Sequence, residues 1–485
     1  MTAAAIPEDA GAKPRLASYW PALVLAVACA VAFADVMFSH AVFNDGDTYW
    51  HIAAGRWMLA HRQVLHRDIF SYTHFGQPWM THEWFSEILM ALAFAAGRWN
   101  GILVLFAASA AATAGLMAYE AGRKLRGLAL AVLLILSFSV MSAGVLARPH
   151  LLALTPLVGW TMLMIRAREK GAAPPLWAAL VMAGWANLHG SFIYGFLLAG
   201  FFGLEALFDP ALDRWRTVRD WAVFGAATLA GACATPHGVF GLIYPLRIMS
   251  MQTLYNIGEW KPLSFATPQP LEFALLAALY MGLARGLRAP MFRLLLLLLL
   301  LHLTLIHQRY QIVLGATAPL ILAEPLAKAL AQRPPAPIRL APALAVVALA
   351  ALAMIGFRFA DPAQRGDDFV TPKSAMAHVP VPLLRQPVLN TYDFGGYLIF
   401  HGLRPFIDGR ADMYGDDFMR LHNHLMRGDE PELDRTIGKY GIQWMLLSPR
   451  EPLARAMEAK PGWRKLYGDV WAVVFVRQDA PAPAR

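Results

Sequence analysis

Long apolar runs separated by short polar punctuation dominate the chain. The runs 21–38, 127–147 and 291–306 carry at most one charge each, and roughly 18 apolar residues suffice for a helix to cross a ~30 Å hydrocarbon core. Low-charge segments at 19–40, 100–119, 128–146, 150–165, 175–188, 191–208, 221–235, 270–286, 291–306, 312–327 and 341–357 predict about eleven transmembrane helices. The stretch 84–97 decides how they thread. Counted as a span, it puts the clusters Arg123/Lys124/Arg126, Arg166/Arg168/Lys170 and Arg214/Arg216/Arg219 on the outer side. Laid along the outer interface as an amphipathic helix, it leaves these clusters, Arg285/Arg288/Arg293 and Lys328/Arg333/Arg339 facing the cytoplasm, as the positive-inside rule requires. The interfacial reading is adopted. It makes the N-terminus, with Lys13 and Arg15, cytoplasmic and the first span an uncleaved anchor.

From about residue 361 the pattern changes. Charge density rises and the apolar runs shorten to strand length at 387–390, 397–400, 444–448 and 471–477, with helical stretches at 432–440 and 451–458 between them. The expected architecture is a mainly α, polytopic membrane domain over 1–360, with outer loops at 41–99 and 236–268. A small periplasmic α/β domain follows over 361–485, its last segment closing as a β-hairpin. The setting is a bacterial inner membrane.

Composition agrees: 57% of the residues are hydrophobic and 15% charged, against about a quarter charged in soluble proteins. The formal charge of +9 comes from short clusters between apolar runs, which is loop topology and not a nucleic-acid surface. Cys29 and Cys233 both fall inside apolar runs, which excludes a disulfide framework or a Cys-based metal site.

In this threading the polar chemistry gathers at the outer ends of the spans, where polar residues near membrane depth mark function. Asp45 and Asp47 sit two apart in a Gly-containing turn, and Glu83 opens the interfacial helix after His82. Such carboxylates suit a general base towards an acceptor hydroxyl or amide, and a pair can hold a divalent cation. The same residues also suit a turn, a helix N-cap and a first-turn acid. Further candidates are Arg148 and His150, Asn187 and His189, His237, Glu259 with Lys261, and His307 with Arg309.

This arrangement resembles the GT-C superfamily of membrane glycosyltransferases. The matching features are a first span, a long outer loop opening on an acidic motif, and interfacial helices ending in a segment like Pro78 to Glu83. Paired spans around a basic turn like Arg123 to Arg126 come next, and then a second polar outer loop. The resemblance covers residues 40–360 as architecture. It implies transfer of a sugar from a polyprenyl-phosphate or diphosphate carrier to a glycan, lipid or protein acceptor, with inversion, and a bilayer as partner. Asp45 or Asp47 matches the base; Asp47 is preferred for its place beside the helix, and Asp45 stays open. Asp45 and Asp47 would be the ligands if Mg or Mn is needed, a question the resemblance leaves open. Arg148-Pro149-His150 stands where a further acidic residue is common, a departure that argues against a two-carboxylate metal site. Arg148, His150 and Arg309 would contact the carrier phosphate, Asn187 and His189 would line a sugar pocket, and the loop bearing His237 and Glu259 would cover the site, with His307 at its edge. The stretch 392–410 loosely resembles the WWDYG region of the oligosaccharyltransferase catalytic subunit, which implies that Asp393, Asp408 and Arg410 face the active cavity; an internal salt-bridge network is the alternative. A lipid or glycan flippase and a non-enzymatic envelope assembly factor are the competing functions.

Overall fold

The computed structural model describes residues 20–333, 335, 337–338 and 340–478. The readings of Lys13, Arg15 and Arg339 lie outside them. Every segment predicted to span is helical. Among the described residues, seven helices are long and apolar enough to cross a membrane: Trp20–Phe38, Trp84–Gly122, Gly127–Gly144, Pro149–Glu169, Gly190–Leu207, Gln308–Ala329 and Leu340–Ala360. The pair Arg214–Cys233 and Gly238–Met249, bent by 88°, makes an eighth if taken as one span. Ala178–Leu188 and Met291–Ile306 are shorter apolar helices, and Pro270–Arg285 is also helical.

The stretch 84–97 is the first leg of Trp84–Gly122, and it ends at a sharp corner. Gly97 (φ −152°, ψ 18°) and Arg98 (φ 53°, ψ −135°) leave helical geometry, and the chain doubles back so tightly that Gly101 lies against the Ala93 backbone. A side chain at 101 would collide with that carbonyl. The basic clusters meet at one end of the bundle through shared acids. Glu120 pairs with Arg123 and Arg166, Glu169 with Arg123 and Lys124, and Glu205 with Arg168 and Arg293. Leu340–Ala360 turns most of its apolar surface outward, as a helix against lipid does. It is tied in by Arg358, which donates to the Met37 carbonyl and sits over Phe38.

The C-terminal part carries a four-stranded sheet of order β1-β2-β4-β3, with β1 Val388–Asn390, β2 Trp444–Leu447, β3 Trp463–Gly468 and β4 Val473–Arg477. β1 and β2 are parallel, joined by a crossover through Ala411–Met426 and Glu430–Tyr440. β4 is antiparallel to both β2 and β3. Leu389, Met445 and Phe475 pack on one face with Phe406 and Leu425, and Val388, Trp444 and Val474 on the other with Leu398. The run 397–400, expected as a strand, is instead the end of a short helix, Gly395–Phe400. Its four apolar residues suit a buried helix as well as a strand. Packing decides for helix, because Gly395 and Gly396 press against the backbones of Ile407 and Gly46. Tyr392–Phe394, just before this helix, is a 3-10 turn.

Candidate functional site

Four separate stretches of chain meet around one guanidinium. The turn after Trp20–Phe38 places Asp45 and Asp47 together, with Asp45 Oδ1 accepting from the Asp47 N–H at 2.7 Å. Asp47 is the first residue of the helix Asp47–His61, whose N-cap is Gly46. Its carboxylate is therefore not spent on capping and accepts instead from Trp50 Nε1 at 2.9 Å. Arg148, just before the helix starting at Pro149, reaches across. Its Nη1 lies 3.0 Å from Asp45 Oδ2 and 3.2 Å from Glu259 Oε2, and its Nη2 2.9 Å from Asp47 Oδ2. Arg309 completes the chain of charges, 3.2 Å from Glu259 Oε1 and stacked over Trp260 at 4.1 Å.

The C-terminal part closes the site from above. Gly409 lies directly on the Asp47 carboxylate, and Gly46 fits under the Asp393 carbonyl. At both places a Cβ would overlap its neighbour, so glycine is the residue that lets the two loops interlock.

These groups line a cavity of about 600 Å³. Of the residues singled out from sequence, Asp45, Asp47, Glu83, Arg148, His150, His189, Glu259, Arg309 and Asp393 line it. Asn187, His237, His307, Asp408 and Arg410 do not. Asn187 accepts from Trp84 Nε1 and donates to the carbonyls of Ala183 and Ala234, tying helices together. His237 donates to the Thr81 carbonyl and His307 to that of Trp260. Asp408 and Arg410 are fully buried. Arg410 Nη1 binds Asp68 Oδ1, and its Nε and Nη2 bind Asp408, all at 2.7 Å. This is the internal network, and the expectation that these two residues face the cavity is corrected. Their neighbour Asp412 faces in instead, accepting from Tyr244 and Trp79. Acids stand at both 408 and 412 in the sequence; which one points inward is decided by the fold.

The electrostatics sort the carboxylates. Burial pushes Asp45 up to about 7, against the pull of Arg148 and with the help of Asp47 and Glu259. Burial also raises Asp393, with Asp47 and Glu451 adding to it, to about 6. Glu259 goes the other way: its two arginines outweigh burial and hold it at about 2. Burial likewise opposes the charge on Glu83, but His82, His189 and His51 more than offset it and keep the carboxyl well below its usual range. His189 lies 3.1 Å from Glu83. The Ser191 N–H donates to its Nδ1, which leaves Nε2 as the protonated nitrogen facing Glu83. Burial drives this imidazole down to about 3, so it is neutral.

The fit to a divalent cation is poor. Asp45, Asp47 and Glu259 all share Arg148, and a cation there would face that guanidinium. Among the described residues, no group of three or more His, Cys, Asp or Glu is arranged to hold a metal.

No protein-family model matches the chain, and no curated protein matches it in sequence. Solved structures do resemble it. ArnT from Cupriavidus metallidurans bound to undecaprenyl phosphate superposes with a TM-score of 0.52 at 15% identity, over 96% of this chain and 99% of that one. The apo oligosaccharyltransferase of Archaeoglobus fulgidus gives a TM-score of 0.44 at 13% identity, over 95% of this chain and 75% of that one. The likeness to ArnT runs the length of both chains, and from it the protein has the fold of that structure.

Proposed function

We propose that the protein transfers a sugar from a polyprenyl-phosphate or diphosphate carrier to an acceptor at the outer face of the inner membrane. The observation that carries this reading is the convergence of Asp45, Asp47, Arg148, Glu259 and Arg309 on one cavity in a chain with the fold of ArnT. The ArnT structure holds undecaprenyl phosphate, the kind of carrier such a cavity would receive. In this reading the membrane domain ends near residue 360, all eleven predicted helices serve as spans, and the leg 84–97 lies along the outer interface.

Asp45 is the better base. A general base works best with a pKa near the operating pH, and Asp45 sits at about 7, whereas Asp47 is held by Trp50, Arg148 and Gly409. Asp45 takes the proton of an acceptor hydroxyl or amide. The acceptor atom bonds to the anomeric carbon from the face opposite the phosphate, and the carbon–oxygen bond to phosphate breaks with its electron pair. Arg148 and Arg309 stabilise the oxygen charge that develops on the leaving phosphate, as fixed donors in a water-poor cavity do. No step of this chemistry is routed through a cation. Asp393 and Asp412 face the cavity from the C-terminal part and are suited to accept hydroxyl hydrogen bonds from the sugar or the acceptor.

The test is mass profiling of cell-surface lipids, polysaccharides and envelope proteins in wild type, a deletion strain, and deletions complemented with Asp45→Asn or Asp47→Asn at matched expression. A glycan lost on deletion and not restored by Asp45→Asn supports the reading. Full restoration by both variants would overturn it in favour of transport or assembly.

A further inference from the structure

Glu259 occupies the place where two guanidiniums would grip a phosphate. Its two oxygens are divided between Arg148 and Arg309, each at 3.2 Å, so one carboxylate bridges two cations as a phosphate bridges paired arginines. The backbone beside it cannot swing away freely. Gln308 donates from its N–H to the Lys261 carbonyl and from Nε2 to that of Gly258, and His307 donates to that of Trp260. The Glu259 side chain is 28% exposed and is the one part of this turn held only by ion pairs. Charge makes its place contested. Two arginines already face Asp45, Asp47 and Glu259, so an arriving phosphate would add negative charge to a cluster with a surplus of it.

The geometry points to Glu259 as an exchangeable counter-ion. It bridges Arg148 and Arg309 in the carrier-free protein and yields them to the carrier phosphate by side-chain rotation, without opening of the loop. It then returns to compete with the spent carrier phosphate after transfer. Glu259 thereby lowers the affinity for the carrier and favours its release. This inference rests on the carrier reading of the preceding subsection.

The experiment measures binding of undecaprenyl phosphate to the purified full-length chain by isothermal titration, for wild type, Glu259→Gln, Glu259→Asp and Arg309→Gln. Removing one like charge at contact distance corresponds to roughly tenfold tighter binding for Glu259→Gln. Glu259→Asp, one methylene too short to bridge both arginines, is expected to tighten binding by a smaller factor and preserves the charge should the Gln variant fold poorly. Arg309→Gln is expected to weaken binding. A purely structural role for Glu259 would weaken binding on substitution, so equal or weaker binding by both Glu259 variants overturns the exchange while leaving the carrier reading standing. No binding by wild type and by Arg309→Gln alike overturns the carrier reading and the exchange with it.

Discussion

Arg410→Met tests the strut beneath the site. The Arg410 side chain is completely buried with Asp68 and Asp408, and its guanidinium is shared between the two carboxylates. Tyr414 supports Asp408, Ser71 supports Asp68, and Phe70 and Trp79 cover the guanidinium. Methionine fills much of the same volume and leaves two carboxylates without their cation. Breaking a buried pair by removing one partner costs about 3–5 kcal/mol. Two abandoned carboxylates put this variant at the upper end, about 5 kcal/mol, a fall of at most roughly 10 °C in melting temperature at the ~2 °C per kcal/mol of a long chain.

The deficit has a defined pH dependence. In wild type, burial raises Asp68 but Arg410 and its other donors hold it below its usual value of 3.8. Its contribution is therefore present above that value and lost only in stronger acid. In the variant, burial without the cation raises the Asp68 carboxyl, and protonation relieves it. The gap between variant and wild type should be narrowest near pH 5 and widest near pH 8, measured by thermal unfolding of the detergent-purified chain. The triple variant Arg410→Met, Asp68→Asn, Asp408→Asn should recover more than half of the loss. A deficit under about 1 kcal/mol, or one that does not change with pH, would refute the reasoning.

Three other predictions follow from single residues. Asp45→Asn should stabilise the protein relative to wild type increasingly as pH rises from 3.8 to about 7, because a carboxyl with a raised pKa loses stability through that window; melting curves at pH 5 and 8 check it. Gly409→Ala drives a methyl into the Asp47 carboxylate. Overpacking of this kind costs about 1–3 kcal/mol, and glycan transfer in the complementation assay should fall further than expression does. Arg98 holds φ 53° and ψ −135°, so Arg98→Gly should stabilise by about 1 kcal/mol while Arg98→Ala, equally strained, should not; paired melting curves distinguish them.

The helices were legible in the sequence because a bilayer imposes a local rule: each span must satisfy its own backbone and be apolar over a fixed length. The sequence separates 84–97 from the span 100–119, and the corner at Gly97 and Arg98 falls between them. The short run 397–400 was not legible, since four apolar residues carry no period and its state depends on Gly46 some 350 residues away. Among the polar candidates, residue type and depth picked out Asp45, Asp47, Arg148, Glu259 and Arg309. Sequence could not say that they share one cavity, because their contacts span up to 111 residues and depend on how the helices are arranged around the bundle. Nor could it orient the run from Asp408 to Asp412. A turn of one residue exchanges a buried strut for a cavity wall, and only the packing of Gly409 on Asp47 and of Arg410 on Asp68 decides which acid does which. Composition along the chain determined that this protein is a polytopic membrane protein with polar candidates at the ends of its helices. The tertiary fold alone decided which charges neutralise one another and which stay open to a substrate, because electrostatic partners are set by distance in space and not along the chain.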